Sequence, residues 1–149
     1  MNDRLTISRL VWLITGCTLL SACHESGTWQ DDARNWKRIF REDKPADIQV
    51  VHSWFWRSPH FTYEYEYFIQ VRKNEDFKKR LFGHNNLRQL TEPEALADAF
   101  SFSQHRPDWF VPKPKTSYDT WVYAEEPRGE FRTFLDLETG DIYLTDSQL

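Results

Sequence analysis

The hydrophobic and polar positions of the chain alternate most regularly between residues 61 and 71. One side of this run carries Phe61, Tyr63, Tyr65, Tyr67, Ile69 and Val71, and the other carries Thr62, Glu64, Glu66 and Gln70. A period of two is typical of a β-strand. The run therefore predicts an inner strand with its tyrosine side buried and its other side wetter. A second strand-like run spans 48–56, and the two are joined by a predicted turn at 57–60.

Three segments carry helix signals. The first begins with a possible capping box at 28–31 and ends before Pro45. The second extends from the N-cap residue Asn74 to Gly83, and the third opens with a capping box at 91–94. Helical spacing in the first segment places four residues on one face: Trp29, Ala33, Trp36 and Phe40.

The C-terminal third returns to strand patterns at 118–124, 130–137 and 141–145, separated by turn sequences at 127–129 and 138–140. The proline-rich stretch 106–115 is predicted to be an ordered loop. The predicted order is therefore αββααβββ. It favours an α+β fold, with an antiparallel sheet of about five strands and short helices packed on one face. Residues 28–149 are expected to form this single domain.

Residues 1–22 have the layout of an export signal. Arg4 and Arg9 precede the apolar run 10–20, and the small residues Ser21 and Ala22 follow it. A helix over that run would be only ~16 Å long, about half the thickness of the hydrocarbon core. The segment is therefore predicted to be a signal peptide and not a transmembrane span, with 23–27 as a short polar stub before the domain.

The residues around the expected cleavage site resemble a known motif. Leu20-Ser21-Ala22-Cys23 is similar to the lipobox of bacterial lipoproteins, in which an aliphatic residue and two small residues precede a cysteine. The resemblance implies a diacylglyceryl group on Cys23, cleavage after Ala22 and further acylation of the new amino group, which together form a stable membrane anchor. It also implies a periplasm-facing protein. His24 in place of an aspartate favours the outer membrane over the inner membrane.

Two alternatives to the lipobox interpretation stay open. A conventional signal peptidase could cleave after Ala22 and leave Cys23 an ordinary thiol, or residues 10–20 could be the first helix of a cytoplasmic protein. Cys17 has no small residues directly before it and is interpreted as apolar filler. Residues 24–149 contain no cysteine, so no disulfide is expected within the body.

Composition narrows the class of partner. The formal net charge is −4, which argues against nucleic acid because phosphate binding needs clustered Lys and Arg. Aromatic residues make up 16% of the chain, enough to fill a core and still supply a binding surface. Trp109 and Phe110, in the proline-rich loop, are the pair predicted to be exposed and to bind a protein partner.

No residue is assigned a catalytic or metal-binding role, and no cofactor is expected. The five histidines are widely spaced, and 136–141 matches a hairpin turn better than a calcium loop. Glu64 and Glu66 share a strand face, which leaves a cell-wall hydrolase as one alternative function. The principal hypothesis is a non-enzymatic binding or accessory lipoprotein of the envelope. An immunity lipoprotein that neutralises a periplasm-acting toxin is a specialised version.

Overall fold

A computed structural model describes residues 25–59, 63–98 and 102–149. Cys23, the predicted signal peptide 1–22, part of the predicted 57–60 turn and the first two residues of the predicted 61–71 strand lie outside the described residues. Among the described residues, no helix is long and apolar enough to cross a membrane.

Strands of one sheet are interspersed with short helices along the described part of the chain. In chain order they are β1 (Gly27–Gln30), α1 (Asn35–Phe40), β2 (Val50–Arg57), β3 (Tyr65–Val71), α2 (Glu75–His84), β4 (Leu87–Gln89), α3 (Glu92–Ala97), a 3₁₀ turn (Lys115–Ser117), β5 (Tyr118–Tyr123), β6 (Arg132–Asp136) and β7 (Ile142–Gln148). The strands form one antiparallel sheet in the order β1-β2-β3-β7-β6-β5-β4. The predicted α+β class with an antiparallel sheet is confirmed.

The predicted strand number is wrong, because the described sheet has seven strands and not five. The two missed strands, β1 and β4, are the short edge strands, with four and three residues. The remaining elements follow the predicted order. The sheet also begins at Gly27, one residue inside the predicted stub. Runs of four and three residues are too short for a period of two to stand out in the sequence.

Trp29 shows why β1 was mistaken for helix. Its spacing to Trp36 fits a helix face, but Trp29 pairs with Phe55 on β2 and its ring packs 6.0 Å from that of Phe55. Asp31 then leaves the strand with φ 50°, and its carboxylate accepts a 2.8 Å hydrogen bond from the Ser53 amide. The helix starts only at Asn35, because this long-range pairing outweighs the local helix signal.

The other two helices form where their capping residues predict. The Asn74 side chain accepts a 2.8 Å hydrogen bond from the amide of Phe77. The amide of Thr91 donates to the Glu94 carboxylate at 2.7 Å, as expected in a capping box. Gly83 lies inside α2, which continues to His84.

Helices α1 and α2 cover one face of the sheet. Trp36 from α1 and Phe77 and Leu81 from α2 pack against the side chains of the central strands that point to this face. These strand residues are Phe55, Tyr67, Ile69, Val71, Ile142 and Leu144. The connection from β3 to β4 runs from the middle of the sheet to its far edge, and α2 lies on that connection. Helix α3 buries no side chain.

The opposite face is covered by the loop that follows α3. Phe110 and Val111 from this loop pack on Phe68, Tyr118, Phe134 and Tyr143. The prediction that β3 has one buried and one wetter side is therefore wrong. Glu66, Phe68 and Gln70 are buried, as are Tyr67, Ile69 and Val71 on the other side. The proline-rich loop excludes water from the second face because its Phe110 and Val111 side chains point inward.

Candidate functional site

A pocket opens on the helical face of the sheet, between α1, α2 and strands β3, β5 and β7. Its volume is about 440 Å³, within the range of small-molecule and side-chain binding sites. Half of its lining residues are aromatic. We call it the tyrosine pocket and define it by Tyr65, Tyr67, Tyr123, Phe131 and Asp146.

Strand alternation brings the rings together. Tyr65 and Tyr67 point to the same side of β3, with ring centroids 6.3 Å apart and planes 9° from parallel. Tyr123 at the end of β5 lies against Phe131, with centroids 4.4 Å apart. Tyr67 is only 7% exposed, whereas Tyr123 is 39% exposed. The pocket therefore has a buried aromatic floor and an aromatic residue at its mouth.

Asp146 is the acidic group of the pocket. It lies on β7 directly opposite Tyr67 and is half-buried. Its Oδ2 accepts a 2.8 Å hydrogen bond from the Tyr65 hydroxyl, and its Oδ1 accepts a 3.0 Å hydrogen bond from the Ser147 amide. Across the described part of the chain, no Lys, Arg or His forms an ion pair with it.

Burial raises the pKa of the Asp146 carboxyl above its ordinary value. The hydrogen bonds from Tyr65 and Ser147 oppose this shift, and the nearby carboxylates of Glu126 and Glu130 add to it. Burial also raises the pKa of Tyr67, with the Asp146 charge as a further cause. The pocket thus holds a negative charge that water solvates poorly and that the described residues do not neutralise.

Two arginines lie at the α1 side of the pocket, and both have partners of their own. The Arg38 guanidinium lies 3.3 Å from Asp32 and 4.2 Å from the centre of the Trp29 ring. The Arg41 guanidinium lies over the Tyr63 ring, 5.3 Å from its centre. The pocket is therefore positive along α1 and negative at the β7 end.

The structure separates the two aromatic residues that the sequence pointed to as a partner-binding pair. Phe110 is fully buried, with its ring 4.9 Å from that of Phe68, so the prediction that Phe110 is exposed is wrong. Trp109 is half-buried and stacks on His52, with centroids 5.2 Å apart. The loop conformation turns only Trp109 toward the surface. A role for Trp109 in partner binding stays a prediction.

Glu64 and Glu66 do not form the accessible pair of carboxylates that a glycosidase site needs. Glu66 is 4% exposed, and its Oε2 lies 3.2 Å from Nδ1 of His105, which stacks on Trp54. Glu64 lies just before β3 and is half-buried, with its carbonyl oxygen accepting a 3.1 Å hydrogen bond from the Ser58 amide. The covering loop thus supplies Glu66 with a histidine partner that the sequence did not indicate.

The 136–141 segment forms the predicted hairpin turn between β6 and β7. The Gly140 amide donates to the Asp136 carbonyl oxygen at 2.9 Å, and the Asp136 carboxylate pairs with Lys113 at 3.0 Å. Asp141 accepts a 2.9 Å hydrogen bond from Gln70. Among the residues described, no group of three His, Cys, Asp or Glu is placed to hold a metal ion.

Comparison of the chain with protein-family models, with curated proteins and with solved structures found no match.

Sequence reasoning singled out Tyr65 and Tyr67 but not the other residues that define the pocket, Tyr123, Phe131 and Asp146. Asp146 was missed because of a strand boundary. The last strand was predicted to end at Thr145, whereas β7 continues to Gln148. Ile142 and Leu144 point to the helical face, and position 146 must therefore point there too. A carboxylate at a strand position whose neighbours on the same face are apolar was the sequence signal that could have identified Asp146.

Proposed function

We propose that this protein is a lipid-anchored lipoprotein of the bacterial envelope whose periplasm-facing domain binds a protein partner at the tyrosine pocket without catalysing a reaction. The anchor is the acylated Cys23, with His24 favouring the outer membrane. Its support comes from the sequence: a basic start, a short apolar run and the lipobox-like Leu20-Ser21-Ala22-Cys23.

The observation that carries the binding role is the composition of the pocket. Rigid rings of Tyr65, Tyr67 and Tyr123 surround the Asp146 carboxylate, which no cation neutralises within the described residues. Tyrosine is enriched at protein interfaces because its ring gives a large contact area at a small entropic cost. An unneutralised carboxylate among such rings lowers the stability of the free domain, and a complementary partner would relieve that cost.

The structure supports the immunity-lipoprotein alternative better than the cell-wall hydrolase alternative. An immunity lipoprotein is a specialised form of the same proposal, and the negative β7 end of the pocket suits a basic side chain of a toxin. The cell-wall hydrolase is less well supported, because Glu66 is buried beneath the covering loop and engaged by His105. We therefore keep the binding role as the principal proposal.

Site-specific photocrosslinking tests the binding role in living cells. Tyr123, at the mouth of the pocket, is replaced by a photoreactive phenylalanine analogue in the full-length protein. Lys79, an exposed residue on α2, receives the same analogue as a control. We expect one protein adduct from position 123 and none from position 79. An absence of any adduct at 123, with normal protein levels, would contradict the proposal.

A further inference from the structure

We propose that the tyrosine pocket recognises the side-chain ammonium group of a lysine on the protein partner, held against Asp146 between the rings of Tyr65, Tyr67 and Tyr123. This inference rests on the proposed function and specifies its chemistry.

The charge at the β7 end of the pocket favours a cation. Asp146 is a half-buried carboxylate without an ion pair across the described residues, and Glu126 and Glu130 lie near enough to add to its negative potential. Arg38 pairs with Asp32, and Arg41 lies over the neutral ring of Tyr63, so neither forms an ion pair with Asp146. Arg41 keeps its positive charge on the α1 side of the pocket, so a cation entering beside Asp146 would gain the attraction of that carboxylate less the repulsion from Arg41.

The walls add a second source of selectivity. A cation over the face of a tyrosine ring is attracted by its negative π surface, most strongly where water is excluded. Tyr67 is more than nine-tenths buried, lines the pocket, and its hydroxyl has no hydrogen-bond partner among the described residues. That hydroxyl oxygen can accept a hydrogen bond from an ammonium group.

The hydrogen bonds already made by Asp146 favour lysine over arginine. The Tyr65 hydroxyl occupies one lone pair of Oδ2, and the Ser147 amide occupies one of Oδ1. A guanidinium fork uses both oxygens at once, and each of them already accepts one hydrogen bond, whereas an ammonium group is a compact charge with three rotatable donors that needs only one acceptor site on the carboxylate. An ammonium can bond one oxygen of Asp146 and turn its other donors to Tyr67 and to water.

Binding of lysine analogues to the full-length protein tests the inference. The probe is N-acetyl-lysine methylamide, and the comparison compounds are the norleucine analogue, which lacks the ammonium, and the arginine analogue. Affinities are measured by NMR titration in detergent micelles. We expect the lysine analogue to bind at least about tenfold more tightly than either comparison compound, as a charge-assisted contact with cation–π support predicts.

Two matched variants locate the interaction. Asp146→Asn removes the charge and keeps the shape, and we expect it to abolish the preference for lysine over norleucine. Asp108→Asn makes the same chemical change at an exposed position in the covering loop and should leave the preference unchanged. Tyr67→Phe, which removes only the hydroxyl, should weaken lysine binding by a few-fold.

The possible results separate this inference from the proposed function. Equal binding of lysine and norleucine analogues, equal binding of the arginine analogue, or no binding of any analogue would overturn the lysine inference. A crosslinked partner at position 123 would in each case still support the binding role. Conversely, a tenfold preference for lysine that depends on Asp146, without any crosslink in cells, would support the cation site and contradict the partner-binding function.

Discussion

Replacement of Phe110 by alanine should strongly destabilise the domain. The ring is fully buried and lies within 6.1 Å of five other rings, those of Phe68, Phe102, Trp109, Phe134 and Tyr143. Removing a buried phenylalanine costs about 3–5 kcal/mol, from lost burial and from the cavity that remains. We expect a loss of about 4 kcal/mol, because the rings of Phe68, Phe134 and Tyr143 are held by strands of the sheet and cannot collapse into the space.

Urea unfolding of the full-length protein in mild detergent, followed by far-UV circular dichroism, measures this loss. With a typical denaturant dependence, 4 kcal/mol lowers the unfolding midpoint by roughly 2 M. Leu137→Ala is the control, since this side chain is 59% exposed, and it should change the free energy of unfolding by no more than about 0.5 kcal/mol. A loss below about 1 kcal/mol for Phe110→Ala would refute the assignment of Phe110 to the core.

Three further predictions follow from the anchor and the pocket. Cys23→Ser should abolish incorporation of a tagged fatty acid in cells while Cys17→Ser should not, and labelling of the Cys23→Ser protein would show that the lipobox has been misread. Asp146→Asn should raise the unfolding free energy at neutral pH, because burial holds the pKa of this carboxyl above its unfolded value, so the charged form disfavours folding. As the pH falls through the raised pKa toward about 4, the carboxyl is protonated and the free energy of unfolding of the wild type should approach that of the variant. A difference in unfolding free energy that does not change with pH would contradict this. Tyr65→Phe should cost about 1 kcal/mol by removing the hydrogen bond to Asp146, and an unchanged urea midpoint would argue against that bond.

The sequence alone determined the elements whose signals are local. Alternation over 61–71 predicts β3, which in the structure begins at Tyr65, and the capping residues Asn74 and Thr91 mark the starts of α2 and α3. These predictions succeed because strand alternation and N-terminal capping depend on residues only a few positions apart. Export is predicted from equally local signals: a charged start, an apolar run and small residues before Cys23. The fatty-acid labelling experiment tests that prediction.

Only the tertiary structure decided which side chains meet. Trp29 joins the sheet edge because Phe55 pairs with it, and Phe110 turns inward because the second sheet face would otherwise expose Phe68 and Tyr143. The tyrosine pocket needs the register between β3 and β7 to bring Asp146 beside Tyr65 and Tyr67, which lie about eighty residues earlier in the chain. Such contacts are set by strand pairing and by burial of the whole sheet, and no local pattern specifies a partner at that distance.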